Sequence, residues 1–155
     1  MIRWLLIFTC FVAFALAAAC ARVHPPAPPP PTSAPVISFS PTQTSDEKKF
    51  IVSIRPHTEP APINRIHSWR ITLTTLGGEP VTKAAFYVGG GMPDHGHGLP
   101  TRPIVTEEPT PGTYLLEGMK FSMHGRWEIK FAIQSGAVSD IVTFNTMVAL
   151  PVPGK

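Results

Sequence analysis

Apolar and polar residues alternate with a period of two along most of the chain beyond residue 48. Phe50, Val52 and Ile54 interleave with Ile51, Ser53 and Arg55; Trp69, Ile71 and Leu73 interleave with Arg70, Thr72 and Thr74. Successive strand side chains point to opposite faces, so this spacing predicts half-buried strands. Gly77-Gly78-Glu79-Pro80 reads as a turn and Val81 to Val88 as the next strand. Tyr114 and Leu116 open another, where a bulge at Gly118 would move the inward positions onto Met119, Phe121 and Met123. The clearest alternation is Trp127, Ile129, Phe131 and Ile133 against Glu128, Lys130, Ala132 and Gln134. Ser135-Gly136 turns the chain into a last strand, Val138 to Val148. No window of useful length has a helical period, and proline interrupts most candidates. The pattern predicts an all-β domain: an immunoglobulin-like antiparallel β-sandwich of about seven strands, without the antibody-type disulfide.

The first residues follow another logic. Met1-Ile2-Arg3 gives a positive start, and Trp4 to Ala19 is uncharged and almost wholly apolar. That run is shorter than the roughly 20 residues a membrane-spanning helix needs, and it ends in Ala17-Ala18-Ala19-Cys20. Export is the expectation, with residues 1–19 as signal peptide. Small residues before a cysteine resemble a bacterial lipobox, in which Cys20 is lipidated and becomes the mature N-terminus. Ala17 stands where that motif prefers Leu. Ordinary cleavage to a soluble product and a retained anchor are the competing readings. His24 to Pro35 then holds seven prolines in twelve residues, a composition that favours extended polyproline II and a semi-rigid spacer. The expected division is 1–19 signal, 20–48 lipidated N-terminus and Pro-rich linker, and 49–155 sandwich.

Composition narrows the function classes. Charged residues are 15% of the chain and the formal charge is +3, with Lys48-Lys49 the only adjacent basic pair. No basic patch emerges, so nucleic acid is not an expected partner. Both cysteines, Cys10 and Cys20, lie in the N-terminal segment. The domain therefore has no disulfide, thiol nucleophile or Cys-ligated zinc. Neither a G-x-S-x-G elbow nor an H-E-x-x-H helix is present, and an enzyme is not expected.

Candidate chemistry gathers where the alternation breaks. Gly89-Gly90-Gly91-Met92-Pro93-Asp94-His95-Gly96-His97-Gly98 holds five of the twelve glycines and two histidines one residue apart. Phe121-Ser122-Met123-His124-Gly125-Arg126-Trp127 adds a second Met and His beside a turn. Thioether with imidazole suits copper, above all Cu(I), whereas zinc prefers Cys, His and carboxylate. Met123 shares inward parity with Phe121 and Trp127, and Met92 could pack over the sheet end, so core and ligand roles are open for both. Asp94 after Pro93 reads as a turn residue or a hydrogen-bond partner of a ligand. Arg126 and Glu128 read as solvated edge charges, and His24, His57 and His67 as surface residues.

These two segments, with Gly112-Thr113-Tyr114 between them, resemble the YtkA-like domain family, related to FixH-like proteins. The resemblance spans about Phe50 to Val148. It implies a small exported β-sandwich, often membrane-attached, linked with copper handling or cytochrome oxidase assembly. By position it implies Met92, His95, His97 and Met123 as metal-site residues. The family commonly has a small residue or proline where this chain has His124, which leaves His124 as an extra ligand or an exposed turn residue. The implied partners are a copper donor or acceptor protein, such as an oxidase subunit or assembly factor, and a membrane reached through the lipid anchor in the bacterial periplasm or cell envelope. The alternative is a metal-free immunoglobulin-like interaction module of the cell envelope.

Overall fold

A computed structural model describes residues 36–150. The signal segment, Cys20 and the prolines of His24 to Pro35 lie outside the described residues. Among the described residues, nine strands form two antiparallel sheets. They are β1 (Thr42–Thr44), β2 (Phe50–Pro56), β3 (His67–Thr75), β4 (Ala85–Met92), β5 (His97–Gly98), β6 (Ile104–Glu107), β7 (Thr113–Met119), β8 (Gly125–Ser135) and β9 (Val138–Val148). One sheet has the order β1-β2-β3-β7-β6 and the other β5-β4-β8-β9. Among the described residues there is no α-helix, and one 3-10 turn, Pro93–His95, follows β4.

The period of two is realised as packing. Val52, Ile71, Leu73, Leu116, Ile129, Phe131 and Phe144 are fully buried between the sheets. Each such side chain contributes about 1.5–3 kcal/mol of burial free energy. β8 and β9 form a long hairpin whose register runs from Ser135 opposite Val138 to Gly125 opposite Val148. The bulge expected at Gly118 is present: between the pairs His67–Met119 and Trp69–Leu116, β7 uses one residue more than β3. It brings Met119 inward beside Tyr114 and Leu116.

Three expectations are corrected. The strand placed at Val81 to Val88 begins at Ala85 and continues to Met92. Its earlier part instead crosses between sheets, tied to Tyr114: the phenol donates to the Val81 carbonyl (2.8 Å) and accepts from the Ala84 amide (3.1 Å). The glycine run is consequently strand, not loop, with Gly89, Gly90 and Gly91 facing Lys130, Ile129 and Glu128 of β8. Glycine is required there by proximity. A Cβ at Gly90 would overlap the Glu128 carbonyl oxygen, and one at Gly91 the carbonyl oxygen of His97.

Second, the inward parity of Met119 and Phe121 does not reach Met123. β7 ends at Met119, Phe121 makes an isolated bridge to Ile63, and the chain turns before β8, leaving Met123 partly exposed. Third, the sheet starts before residue 49. Thr42, Gln43 and Thr44 pair with Ser53, Val52 and Ile51. This three-residue edge strand has no apolar alternation to announce it.

Candidate functional site

The two Met- and His-bearing segments adjoin at one end of the four-stranded sheet. Met92 ends β4, the 3-10 turn carries Asp94 and His95, and β5 returns antiparallel with His97 opposite Met92 and Gly98 opposite Gly91. His95 and His97 are exposed, their rings nearly parallel (17°) with centroids 6.3 Å apart. Met92, by contrast, is only 1% exposed and belongs to the core cluster.

The second segment links β7 to β8. Phe121 is buried at its start, against the Trp127 ring at 5.1 Å. Trp127 Nε1 donates to the Met123 carbonyl (3.1 Å), which fixes the turn, and Met123 is 37% exposed at its surface. His124 is exposed beside it. The connection between the segments is Gly125. A Cβ built there would lie 2.9 Å from Met92 Cε, and the Gly125 φ of +122° is one that side chains rarely adopt. The thioether end of Met92 thus rests against the residue that follows Met123 and His124.

A shallow depression of about 320 Å³ opens beside this contact, lined by Gly90, Gly91, Met92, Pro93, His97 and Glu128 among others. Of the five residues singled out from sequence, Met92 and His97 line it; His95, Met123 and His124 do not. Among the described residues no group of three or more His, Cys, Asp or Glu side chains converges as a cation site would require. Thioether and imidazole side chains lie on the two adjoining segments.

Arg126 is not the solvated edge charge its position in the sequence suggested. Its side chain is 15% exposed and its guanidinium forks onto Asp94, with Nη2 to Oδ1 at 2.6 Å and Nε to Oδ2 at 3.2 Å. Nη1 donates to Asn145 Oδ1 (3.1 Å) and stands 3.6 Å from Glu128 Oε1. Asn145 in turn donates from Nδ2 to the Ser38 carbonyl (3.2 Å). The hydrogen bond from Arg126 holds the Asp94 carboxyl below the usual carboxylate range, and the same bond raises the Arg126 pKa further. Asp94 therefore joins the turn bearing His95 to the first residues of β8. The β4–β8 register puts Gly91 opposite Glu128, so the chain leaving β4 passes Arg126. That neighbourhood cannot be seen until the strand pairing is known.

His67 is also misplaced by the sequence reading as a surface residue. Its ring packs on Phe121 at 5.2 Å and Trp69 at 6.3 Å, and Nδ1 is 3.0 Å from the Arg65 carbonyl. His67 Nε2 and Trp69 Nε1 are buried with no hydrogen-bond partner among the described residues. His57 stays at the surface, its Nδ1 3.1 Å from Ser68 Oγ.

Comparison with solved structures gives a match to a DUF4426 family protein from Pseudomonas aeruginosa PAO1, with a TM-score of 0.51 at 14% identity, covering 69% of this chain and 94% of that one. The ZirS C-terminal domain also aligns, with a TM-score of 0.40 at 10% identity, over 88% of this chain and 93% of its own. At such identities the first likeness speaks to the fold alone, and it agrees with the two-sheet architecture. No curated protein matches the sequence. The family match is more direct: residues 44–132, more than half the chain, fit the YtkA-like family, and they include both strands that meet at the glycine hairpin as well as Met92, His95, His97, Met123 and His124. The chain belongs to the YtkA-like family.

Proposed function

We propose that this protein is an exported copper-binding module, held to a membrane by a lipidated Cys20, that receives or delivers Cu(I) in copper handling or oxidase assembly. The observation that carries the reading is the contact of Met92 with Gly125, which brings the hairpin carrying His95 and His97 beside the turn carrying Met123 and His124. Met92 would supply a thioether from the core side, Met123 one from the exposed turn, and His95 and His97 the imidazoles. Copper bound there would be held by soft, neutral donors, with thioethers favouring the reduced ion. Exposed ligands on two short segments suit exchange with an acceptor protein, because single ligands can be replaced in turn while the sandwich stays rigid.

The reading is tested by X-ray absorption on the copper-loaded protein, made without export and carrying Cys10→Ser and Cys20→Ser so that thiols do not compete. Sulfur and imidazole scattering should both be present. Met123→Leu should reduce the sulfur component, and His97→Ala the imidazole component. Copper with only nitrogen and oxygen neighbours would refute the thioether site. His124→Ala decides that residue's role: an unchanged spectrum and affinity make it a turn residue.

A further inference from the structure

Two of the five candidate donors are anchored, each in its own way. Met92 is held by the core and Met123 by the bond from Trp127 to its carbonyl. His95 and His97 have neither support: both are exposed, and β5 contributes only two residues to the sheet. A 3-10 turn followed by a two-residue strand is too short to hold two rings by its own backbone bonds.

Beyond the short β4–β5 backbone pairing and the bond from the Leu99 amide to the Gly90 carbonyl (3.2 Å), a side chain ties this segment to the sandwich. Asp94, between Met92 and His95, is gripped by both arms of the Arg126 fork at 2.6 and 3.2 Å. Arg126 is itself fixed at its third nitrogen by Asn145 and flanked by Glu128. A lone surface ion pair contributes little, but a two-point guanidinium–carboxylate contact, here with the Arg126 side largely covered and the Asp94 side exposed, fixes direction as well as distance. Asn145 is oriented by Ser38, so the fork is braced from the first described residues of the chain. The chain thus runs Ser38, Asn145, Arg126, Asp94, His95, and its last link is the hairpin tip.

We propose that Arg126 is the positioning residue of the histidine hairpin: through Asp94 it holds His95 and His97 in place for the metal, while the two methionines are placed independently of it. The inference rests on the copper reading for its metal readout, and it also makes a claim about the metal-free protein. Lysine at 126 keeps the charge but cannot fork, and glutamine loses the charge as well. Preorganised ligands bind more tightly because less ordering is needed on binding.

The experiment uses the chain carrying Cys10→Ser and Cys20→Ser, with Arg126→Gln, Arg126→Lys and Asp94→Asn. Cu(I) affinity is measured by chelator competition, copper neighbours by X-ray absorption, and amide hydrogen exchange of Gly96 to Gly98 without metal. Arg126→Gln should weaken Cu(I) about tenfold, lower the imidazole scattering while leaving the sulfur component, and speed exchange in the hairpin. Arg126→Lys should fall between this variant and the parent. Should Arg126→Gln fail to fold, Asp94→Asn, on the exposed side of the fork, gives the same readings. Parental affinity, scattering and exchange in these variants would overturn the inference. So would equal loss of sulfur and imidazole scattering, which would mean a general loosening. If the parent binds no copper, the functional reading falls; hairpin exchange then still decides, faster exchange supporting the clamp and unchanged exchange refuting it.

Discussion

At position 125 a methyl group would sit 2.9 Å from Met92 Cε, at a φ of +122°. Both facts oppose any side chain there. Gly125→Ala is expected to cost about 1–3 kcal/mol in urea unfolding and to displace the Met92 methyl. Wild-type stability would show that the turn moves freely, and the contact between the two segments would lose its importance. Asp140 is a second residue with a readable role. Its carboxylate is buried and accepts from the amides of Glu47, Lys49 and Ile141 at 2.7–3.2 Å. Burial pushes its pKa up, but the hydrogen bonds from Ser45 and from those amides outweigh it and bring it to about 2. The value in an unfolded chain is about 3.9. The unfolded state therefore takes up protons first, and the stabilisation is fully present above about pH 4 and disappears as pH falls through about 2. Asp140→Ala should cost about 2–3 kcal/mol at neutral pH and should flatten the acid limb of the unfolding midpoint between those values. An acid limb as steep as in the wild type would assign the effect to other carboxylates.

The strands divide into those the chain spells out and those it does not. β2, β3 and β8 each bury one face, so Phe50 to Ile54, Trp69 to Leu73 and Trp127 to Ile133 show the alternation directly, while β9 is legible from its β-branched residues after the Ser135-Gly136 turn, its inward face including Asp140. β1 and β6 are short edge strands with mostly exposed side chains, and β5 has two residues, so none leaves an apolar period to read. β4 is half hidden for another reason: Ala85 to Val88 fall within the strand read at Val81 to Val88, but the next three residues are glycines, which carry no polarity signal, although backbone proximity is what demands them at Gly90 and Gly91. The same pairing hides the Asp94–Arg126 fork, whose members are 32 residues apart and meet only through the β4–β8 register. The histidine pair, by contrast, was legible because two imidazoles among glycines stand out from any core pattern. The glycines supply a controlled test of this account. Gly90→Ala should cost about 3 kcal/mol or more, since its methyl would meet the Glu128 backbone. Gly89→Ala, one residue earlier with open space around it, should stay within about 1 kcal/mol of wild type. Equal stability of the two variants, measured by thermal unfolding, would contradict the register of β4 against β8.

On the scale of the whole molecule, the two-sheet body gathers the segments bearing Met92, His95, His97, Met123 and His124 at one end, and the first described residues pass beside them. Ser38 is bonded to Asn145, which also holds Arg126. The proposed tether lies upstream of the described residues. Cys20 is the residue proposed to carry that anchor. Mass spectrometry of membrane-fraction protein should then show a mature chain beginning at a diacylglycerol-modified Cys20, and a soluble product of unmodified mass would remove the tether. The central claim is the preference of the site for soft, reduced copper. Its most direct measurement is a competition titration of Cu(I) against Zn²⁺ on the purified chain carrying Cys10→Ser and Cys20→Ser, repeated with Met92→Leu and Met123→Leu. One Cu(I) per chain should bind, orders of magnitude more tightly than Zn²⁺, and the preference should shrink as each thioether is removed. Equal affinity for the two ions, or a preference that survives loss of both methionines, would contradict the account.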